Sequence, residues 1–345
     1  MQESCHKFFI LESLSIRKMA STIQNRPIQC VDIHHHIFPA SLPKGKINAR
    51  MGWRTPEENL PWSPEKSLAT MDKMGIDLAI LSYPAGMPFV PPSPACRDAA
   101  RKLNVEAASI CKDHPGRFGF FACLPDPRDA EGALQEISYA LDHLHADGVS
   151  LSSSYGDGDE AKYIGHDVYD PMWEELDRRQ AVVFLHGAQL PSSTPYPHEF
   201  LGVPISEVPN ETYKAASHLV VSGKKRRFPN VKIILSHFGG SAPFLAPRVA
   251  VLSNHMGCGL SPEEIMEDFK TFYYDTALSS HESNLEMMLR FVGKERILFG
   301  TDYPAVSSDM ASWYKKQLDE HLGNDELHQI MAGNATNLFP KHLTA

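Results

Sequence analysis

The chain has 345 residues, 42% hydrophobic and 22% charged, which is enough apolar material for one large core or two ordinary ones. Its formal net charge of −9 excludes the basic footprint of a nucleic-acid-binding protein, and no apolar run reaches the roughly 18 residues that cross a bilayer. Six cysteines without a C-x-x-C pair exclude a disulfide framework and suit a reducing compartment, so a cytoplasmic location is expected.

In chain order, residues 1–26 read as an extension outside the fold, because Glu12 interrupts the apolar run Phe8-Phe9-Ile10-Leu11 and spoils a secretory signal. Residues 27–345 read as one domain. Short apolar runs predict strands at Cys30–Ile33, Leu78–Ser82, Phe118–Cys123, Gly148–Leu151, Val182–Leu185, Val231–Leu235, Phe272–Asp275 and Ile297–Phe299. Helical stretches alternate with them. Ser63 caps one that runs from Pro64 to Met74 and stops at Gly75, and Asp170-Pro171 opens another carrying Trp173 and Leu176. Ser261-Pro262-Glu263-Glu264 is a third start signal, and a last helix is expected from Asn324 to about Leu338. The one basic run, Lys224-Lys225-Arg226-Arg227, reads as the exposed C-terminal end of a helix, where cations suit the dipole.

Eight such strand–helix alternations predict a parallel sheet with helices outside it, a (β/α)₈ TIM barrel with a C-terminal helix. An open doubly wound sheet would share the alternation, but its phosphate-binding glycine fingerprint is absent. Two long segments follow strands on the side where barrel enzymes keep their sites. Pro39–Pro64 carries Arg50, Trp53, Arg54 and Trp62, and Gln189–Glu211 is rich in proline and serine.

The strand ends carry the chemistry. Strand one ends His34-His35-His36, strand five on His186, strand six on Ser236-His237 and strand eight on Thr301-Asp302. Side chains alternate along a strand, so His34 and His36 point one way and His35 the other. With His186 and Asp302 they make an N₃O set for one divalent ion, Zn²⁺ first and Mn²⁺ second. Asp32 shares their alternation phase, which makes it a partner of the ligands or a neighbour of the metal.

The Asp32–His36 motif D-x-H-x-H, the later His186, His237-x-Gly239-Gly240 and Gly300-Thr301-Asp302-Tyr303-Pro304 together resemble the amidohydrolase superfamily. The closest likeness is to its aminocarboxymuconate-semialdehyde decarboxylase branch, over about residues 28–340. Within that branch, His34-His35-His36 and Leu185–Gln189 are similar to a fungal subgroup acting on 6-methylsalicylate. The resemblance implies metal ligands at His34, His36, His186 and Asp302, a catalytic histidine at His237, and no organic cofactor. It also implies that Arg248, on the helix after strand six, reaches a carboxylate in a neighbouring subunit's site, hence a homodimer or a dimer of dimers. No ligand appears where two-metal relatives bring one from strand four, since that end reads Leu151-Ser152-Ser153-Ser154, so one metal is expected.

The expected function is therefore metal-dependent loss of CO₂ from an aromatic or unsaturated carboxylic acid, a hydroxybenzoate such as 6-methylsalicylate. His237 and Asp302 are the catalytic pair, with Arg248, Arg54 and Trp53 as substrate contacts. Trp62, Phe38 and Phe89 are candidates for an apolar pocket wall. The alternative is a hydrolase of a lactone or cyclic amide using the same ligands. A catalytically silent metal-binding protein is a third reading, disfavoured by the separate His237.

Overall fold

The computed structural model describes residues 27–39, 51–84, 91–156, 158–188 and 198–343. The extension 1–26, Arg50 and Phe89 lie outside the described residues.

Eight strands pair in chain order, all parallel. They are β1 (Val31–His36), β2 (Leu78–Ser82), β3 (Phe118–Cys123), β4 (Gly148–Ser152), β5 (Val182–His186), β6 (Lys232–Leu235), β7 (Tyr273–Asp275) and β8 (Ile297–Leu298). The barrel closes because the segment after β8 returns to β1. Ile33 N donates to Phe299 O at 3.0 Å, His36 N to Tyr303 O at 2.7 Å and Asp302 N to His34 O at 2.9 Å.

Every residue of β1 to β5 is buried, which is why these strands read as continuous apolar runs. Alternation splits them into two layers. Ile33, Ile80, Phe121, Phe184 and Ile234 form an inner cluster with Leu338 and Phe339 of the C-terminal segment. Ala79, Leu81, Phe120, Val149 and Leu185 face the helices in the larger cluster. Those helices include α1 (Pro64–Met74), α2 (Pro94–Asp113), α3 (Ala130–Asp142), α4 (Asp170–Arg178), α5 (Val208–Val221), α6 (Ala242–His255), α7 (Pro262–Lys270), α8 (Glu282–Val292) and α9 (Ser308–His321). Ser63 and Ser261 are side-chain N-caps, the latter in a full capping box, and Gly75 ends α1 in the left-handed conformation. The expected last helix spans Asn324–Leu338 with a π-helical stretch at Gln329–Gly333.

Two local expectations are corrected. In β1 the pairing with β2 slips between Asp32 and His35, so one extra residue is accommodated there. This bulge reverses the alternation phase. Asp32 pairs opposite the helix-facing Ala79, while His34 and His36 turn inward. The basic run is not the exposed end of a long helix: Lys224–Arg227 forms a separate turn, with Lys224 and Lys225 buried.

Candidate active site

The C-terminal ends of the strands gather five side chains that sequence reasoning named or touched. His34, His36, His186, His237 and Asp302 are all buried. The His34 ring centre lies 4.8 Å from His36, 5.2 Å from His186 and 4.9 Å from His237. His34 Nε2 stands 3.1 Å from His36 Nε2 and 3.5 Å from Asp302 Oδ1, and His36 Nε2 is 3.2 Å from that same oxygen.

Each imidazole is oriented through its other nitrogen. His34 Nδ1 bonds Asp275 Oδ2 at 2.9 Å, His36 Nδ1 meets Ser82 Oγ at 3.0 Å, His186 Nδ1 bonds Gly187 O at 2.9 Å, and His237 Nδ1 bonds Ala277 O at 2.9 Å. Carbonyls and carboxylates accept, so Nδ1 carries a proton in His34, His186 and His237 and Nε2 is the atom turned to the centre. That is the tautomer a metal ligand requires.

Two imidazole nitrogens 3.1 Å apart in a buried site can share only one proton, so a cation between them relieves the crowding. The donor atoms form two overlapping groups, His34 with His186 and His237, and His34 with His36 and Asp302, each within 4.8 Å. His34 is common to both. His237 thus stands as near to His34 as His186 does, and the roles of the two histidines rest on more than distance. No residue at the end of β4 joins either group among the described residues.

Electrostatics follow from this packing. Burial pushes the His34 imidazole down, but the Asp275 carboxylate and then Asp302 outweigh it, and the pKa is pushed up to about 10. Burial and the neighbouring imidazoles hold His186 well below its ordinary value. Burial raises Asp302, but His34 and His36 outweigh it and hold the carboxyl well below the usual range. A cation entering the site must displace the His34 proton.

Asp275 is the residue that sequence reasoning missed. Besides holding His34, its Oδ1 accepts from the backbone N–H of His237 and of Ala277, both at 3.0 Å. It ends β7 as a polar residue on the same rim, so the signal that found the histidines was present there too. Asp32, expected near the ligands, instead accepts from Thr301 N and Oγ1 at 3.0 and 2.6 Å and holds His35 Nδ1 at 2.9 Å. His35 turns away toward Ser67 of α1, with its Nε2 2.9 Å from Oγ. His237 and Asp302 have φ near 54° and 62°, and Leu278 in the wall of the same site has 52°. Backbone in this region costs on the order of 1–3 kcal/mol for such residues and is held by the surrounding hydrogen bonds.

Above this base opens a cavity of about 420 Å³. His36, His186, His237 and Asp302 form its polar floor, and Phe38, Trp53, Ile205, Leu278, Met310 and Tyr314 contribute to its walls. Trp53 Nε1 donates to Ala305 O at 3.0 Å, and Val203 N donates to Met51 O at 2.9 Å, so the described parts of the two long loops meet over the site. Among the described residues no lysine or arginine lines it. Arg54 is exposed and outside the lining, Trp62 is spent on Ser67 Oγ at 2.9 Å, and Arg248 lies exposed on α6.

Residues 31–341 match the amidohydrolase family. The 6-methylsalicylic acid decarboxylase of Aspergillus aculeatus is 36% identical over 323 residues, covering 90% of this chain and 96% of the relative. That of Penicillium expansum is also 36% identical, over 318 residues and the same shares. Among solved structures, a dihydroxybenzoic acid decarboxylase from Polaromonas, with bound manganese and 2-nitroresorcinol, superposes with a TM-score of 0.77 at 24% identity. It covers 91% of this chain and 97% of that one. The chain belongs to the amidohydrolase family and to the decarboxylases within it.

Proposed function

We propose that the protein removes CO₂ from a hydroxybenzoate of the 6-methylsalicylate kind, using one divalent metal ion held by Nε2 of His34, His36 and His186 and by Asp302. The observation that carries this is the set of inward Nε2 atoms and Asp302 Oδ1 at the floor of an apolar cavity. The two fungal relatives named for 6-methylsalicylic acid support the substrate class. The N₃O donor set favours Zn²⁺, and the manganese of the Polaromonas structure keeps Mn²⁺ as the second choice.

Bound there, the ion supplies Lewis acidity that orients an aryl carboxylate and its ortho hydroxyl. The chain's own residues do the rest. Trp53, Leu278 and Met310 exclude water from the ring. His237, its Nδ1 fixed on Ala277 O, turns Nε2 to the cavity, takes up the proton of the substrate's ortho hydroxyl there and passes it to the ring carbon bearing the carboxylate. That avoids a bare aryl carbanion: the C–C bond then breaks, its electron pair restores the aromatic ring, and CO₂ leaves. Asp302, on the same floor, is the second candidate for this proton.

The expected product from 6-methylsalicylate is 3-methylphenol with one CO₂. Metal-loaded protein is incubated with a panel of hydroxybenzoates and with lactones. CO₂ release sustains the proposal, and ring opening without CO₂ replaces it with hydrolysis, which the decarboxylase relatives do not favour.

Arg248 is exposed, does not line its own cavity and makes no ion pair among the described residues; Phe244, Val251 and Leu252 of the same helix and its C-cap Met256 are exposed too. This supports a homodimer in which Arg248 serves the partner's site. Mixing inactive Arg248→Ala with inactive His237→Ala then restores part of the activity by subunit exchange. Exchange seen by native mass spectrometry without recovery would remove that role. Residues 27–345 are read as one catalytic domain, and the sparse cysteines favour the cytoplasm.

A further inference from the structure

The basic run Lys224–Arg227 splits in two on folding. Lys224 Nζ reaches Asp167 Oδ1 at 2.6 Å and also Asp170. Arg226 pairs with Asp268 at 2.7 Å and Glu264 at 3.1 Å, and Arg227 with Asp170 at 2.5 Å and Glu174 at 2.8 Å. Lys225 is the exception. It is only 7% exposed, and among the described residues its ammonium has no carboxylate partner and no hydrogen-bond acceptor. Its contact is the Phe272 ring, 5.5 Å from Nζ.

Lys225 lines a cavity of about 530 Å³ together with Arg226, Lys232, Arg296, Tyr273 and Asp268. Lys232 opens β6 and Tyr273 opens β7, so this cavity lies at the N-terminal end of the barrel, opposite the imidazoles. Arg296 lies over the Tyr273 ring, 4.7 Å from its centre, and neither it nor Lys232 has a carboxylate partner among the described residues. Four cations therefore meet one lining carboxylate, Asp268, which Arg226 already engages. On a chain with net charge −9 this is a local surplus. The Lys225 stem is packed away while its ammonium opens to this cavity beside like charges, a repulsion that a bound anion offsets. Lysine and arginine donors gathered around one cavity suit the oxygens of a phosphate.

We infer that this cavity binds a phosphate group, either of the free inorganic ion or of a small phosphorylated metabolite. The inference does not depend on the decarboxylase reading, since no residue of the catalytic floor takes part.

The test is thermal unfolding and calorimetric titration of the whole protein with inorganic phosphate, pyrophosphate and a sugar phosphate, at ionic strength held constant with chloride. The expected result is a saturable rise in Tm with at least one of the three. Tighter binding of the sugar phosphate assigns the metabolite, and equal or weaker binding assigns the inorganic ion. Lys225→Met should unfold in chloride at the same or a higher temperature than the wild type, because it removes a charge repelled by the neighbouring cations. It should need roughly tenfold more ligand for the same rise. Its turnover at saturating substrate should be unchanged, which confirms the fold. Should it not fold, Arg296→Gln carries the same comparison. No saturable rise above chloride in the wild type, or a full response in both variants, overturns the inference.

Discussion

The two ends of the barrel use the same residue type to opposite effect. At the N-terminal end, aspartates close on backbone donors and permanent cations. Asp77 Oδ2 accepts from Gln29 N and Cys30 N at 2.7 and 3.0 Å. Asp147 accepts from Phe120 N at 2.9 Å while its other oxygen meets His342 at 2.8 Å and Lys341 at 3.0 Å. At the C-terminal end, Asp275 and Asp302 face imidazoles, and Asp32 holds His35. The first arrangement consumes charge and fixes strand starts. The second keeps a row of Nε2 atoms aimed at an open cavity, which is poor stabilisation and good chemistry. Strain follows the same division: His237, Phe238, Leu278 and Asp302 hold positive φ at the active end, against His145 and Gln180 at the other.

Substitutions test that contrast, and Asp302→Ala should show the largest effect. It should bring turnover to background and lower the metal content of dialysed protein below the expected single equivalent. Full metal and full activity would sink the ligand assignment. His237→Ala should retain the metal and lose turnover by about 10²–10⁴-fold, the usual reach of general acid–base help. If elemental analysis shows the ion gone, His237 belongs with the ligands, as its proximity to His34 and His186 permits.

Asp275→Asn comes next, with a loss of about 10–100-fold in metal affinity or activity, because it loosens His34 and the His237 backbone together. Asp147→Ala should do the reverse. It strands the Phe120 N–H and should cost about 1–3 kcal/mol of stability in a denaturant titration, with kcat intact at low temperature. If Asp147→Ala lost turnover and Asp275→Asn only stability, the division between the two ends would be wrong.

The smallest effect concerns pH. Asp142 and Glu175 are both held down to about 2, first of all by their bonds to arginine, Arg179 for Asp142 and Arg178 with Arg179 for Glu175. Depressed carboxylates stabilise fully above their ordinary values of 3.8 and 4.5, and that contribution is lost as pH falls toward 2. Because Asp142 is half exposed, the gain is small. Arg179→Ala should therefore lower Tm slightly at pH 7, and the gap should close through this acid window. A gap that widened in acid would contradict the sign.

Much of this was legible beforehand. All eight strands follow from apolar runs, because a strand buried on both faces announces itself by composition; their ends are displaced by a residue or so, except that β1 runs three residues past Ile33 to His36. The converging histidines followed from reading strand ends. Asp32 was misplaced because period-two alternation assumes an unbroken ladder, and the extra residue between Asp32 and His35 is not encoded in hydrophobicity. Asp275 was overlooked because a single acid at the end of a short strand has no repeat to mark it. The Lys224–Arg227 run looked uniform because charge patterning does not show which cation a neighbouring helix will cover.

The closure of the barrel sets an order on its synthesis. His34, His36 and His186 leave the ribosome well before Asp275 and Asp302, and the backbone bonds from Ile33 to Phe299 and from His36 to Tyr303 wait for the last strand. Until then β1 is an edge, with its paired histidines exposed and no carboxylate to hold them in the ligating tautomer. On the proposed ligand set, a growing chain would carry a loose two- or three-histidine chelator open to any abundant divalent ion. The arrival of Asp275 and Asp302 would close that site, so the choice of metal would be made late, by the end of the chain rather than by the motif at its beginning.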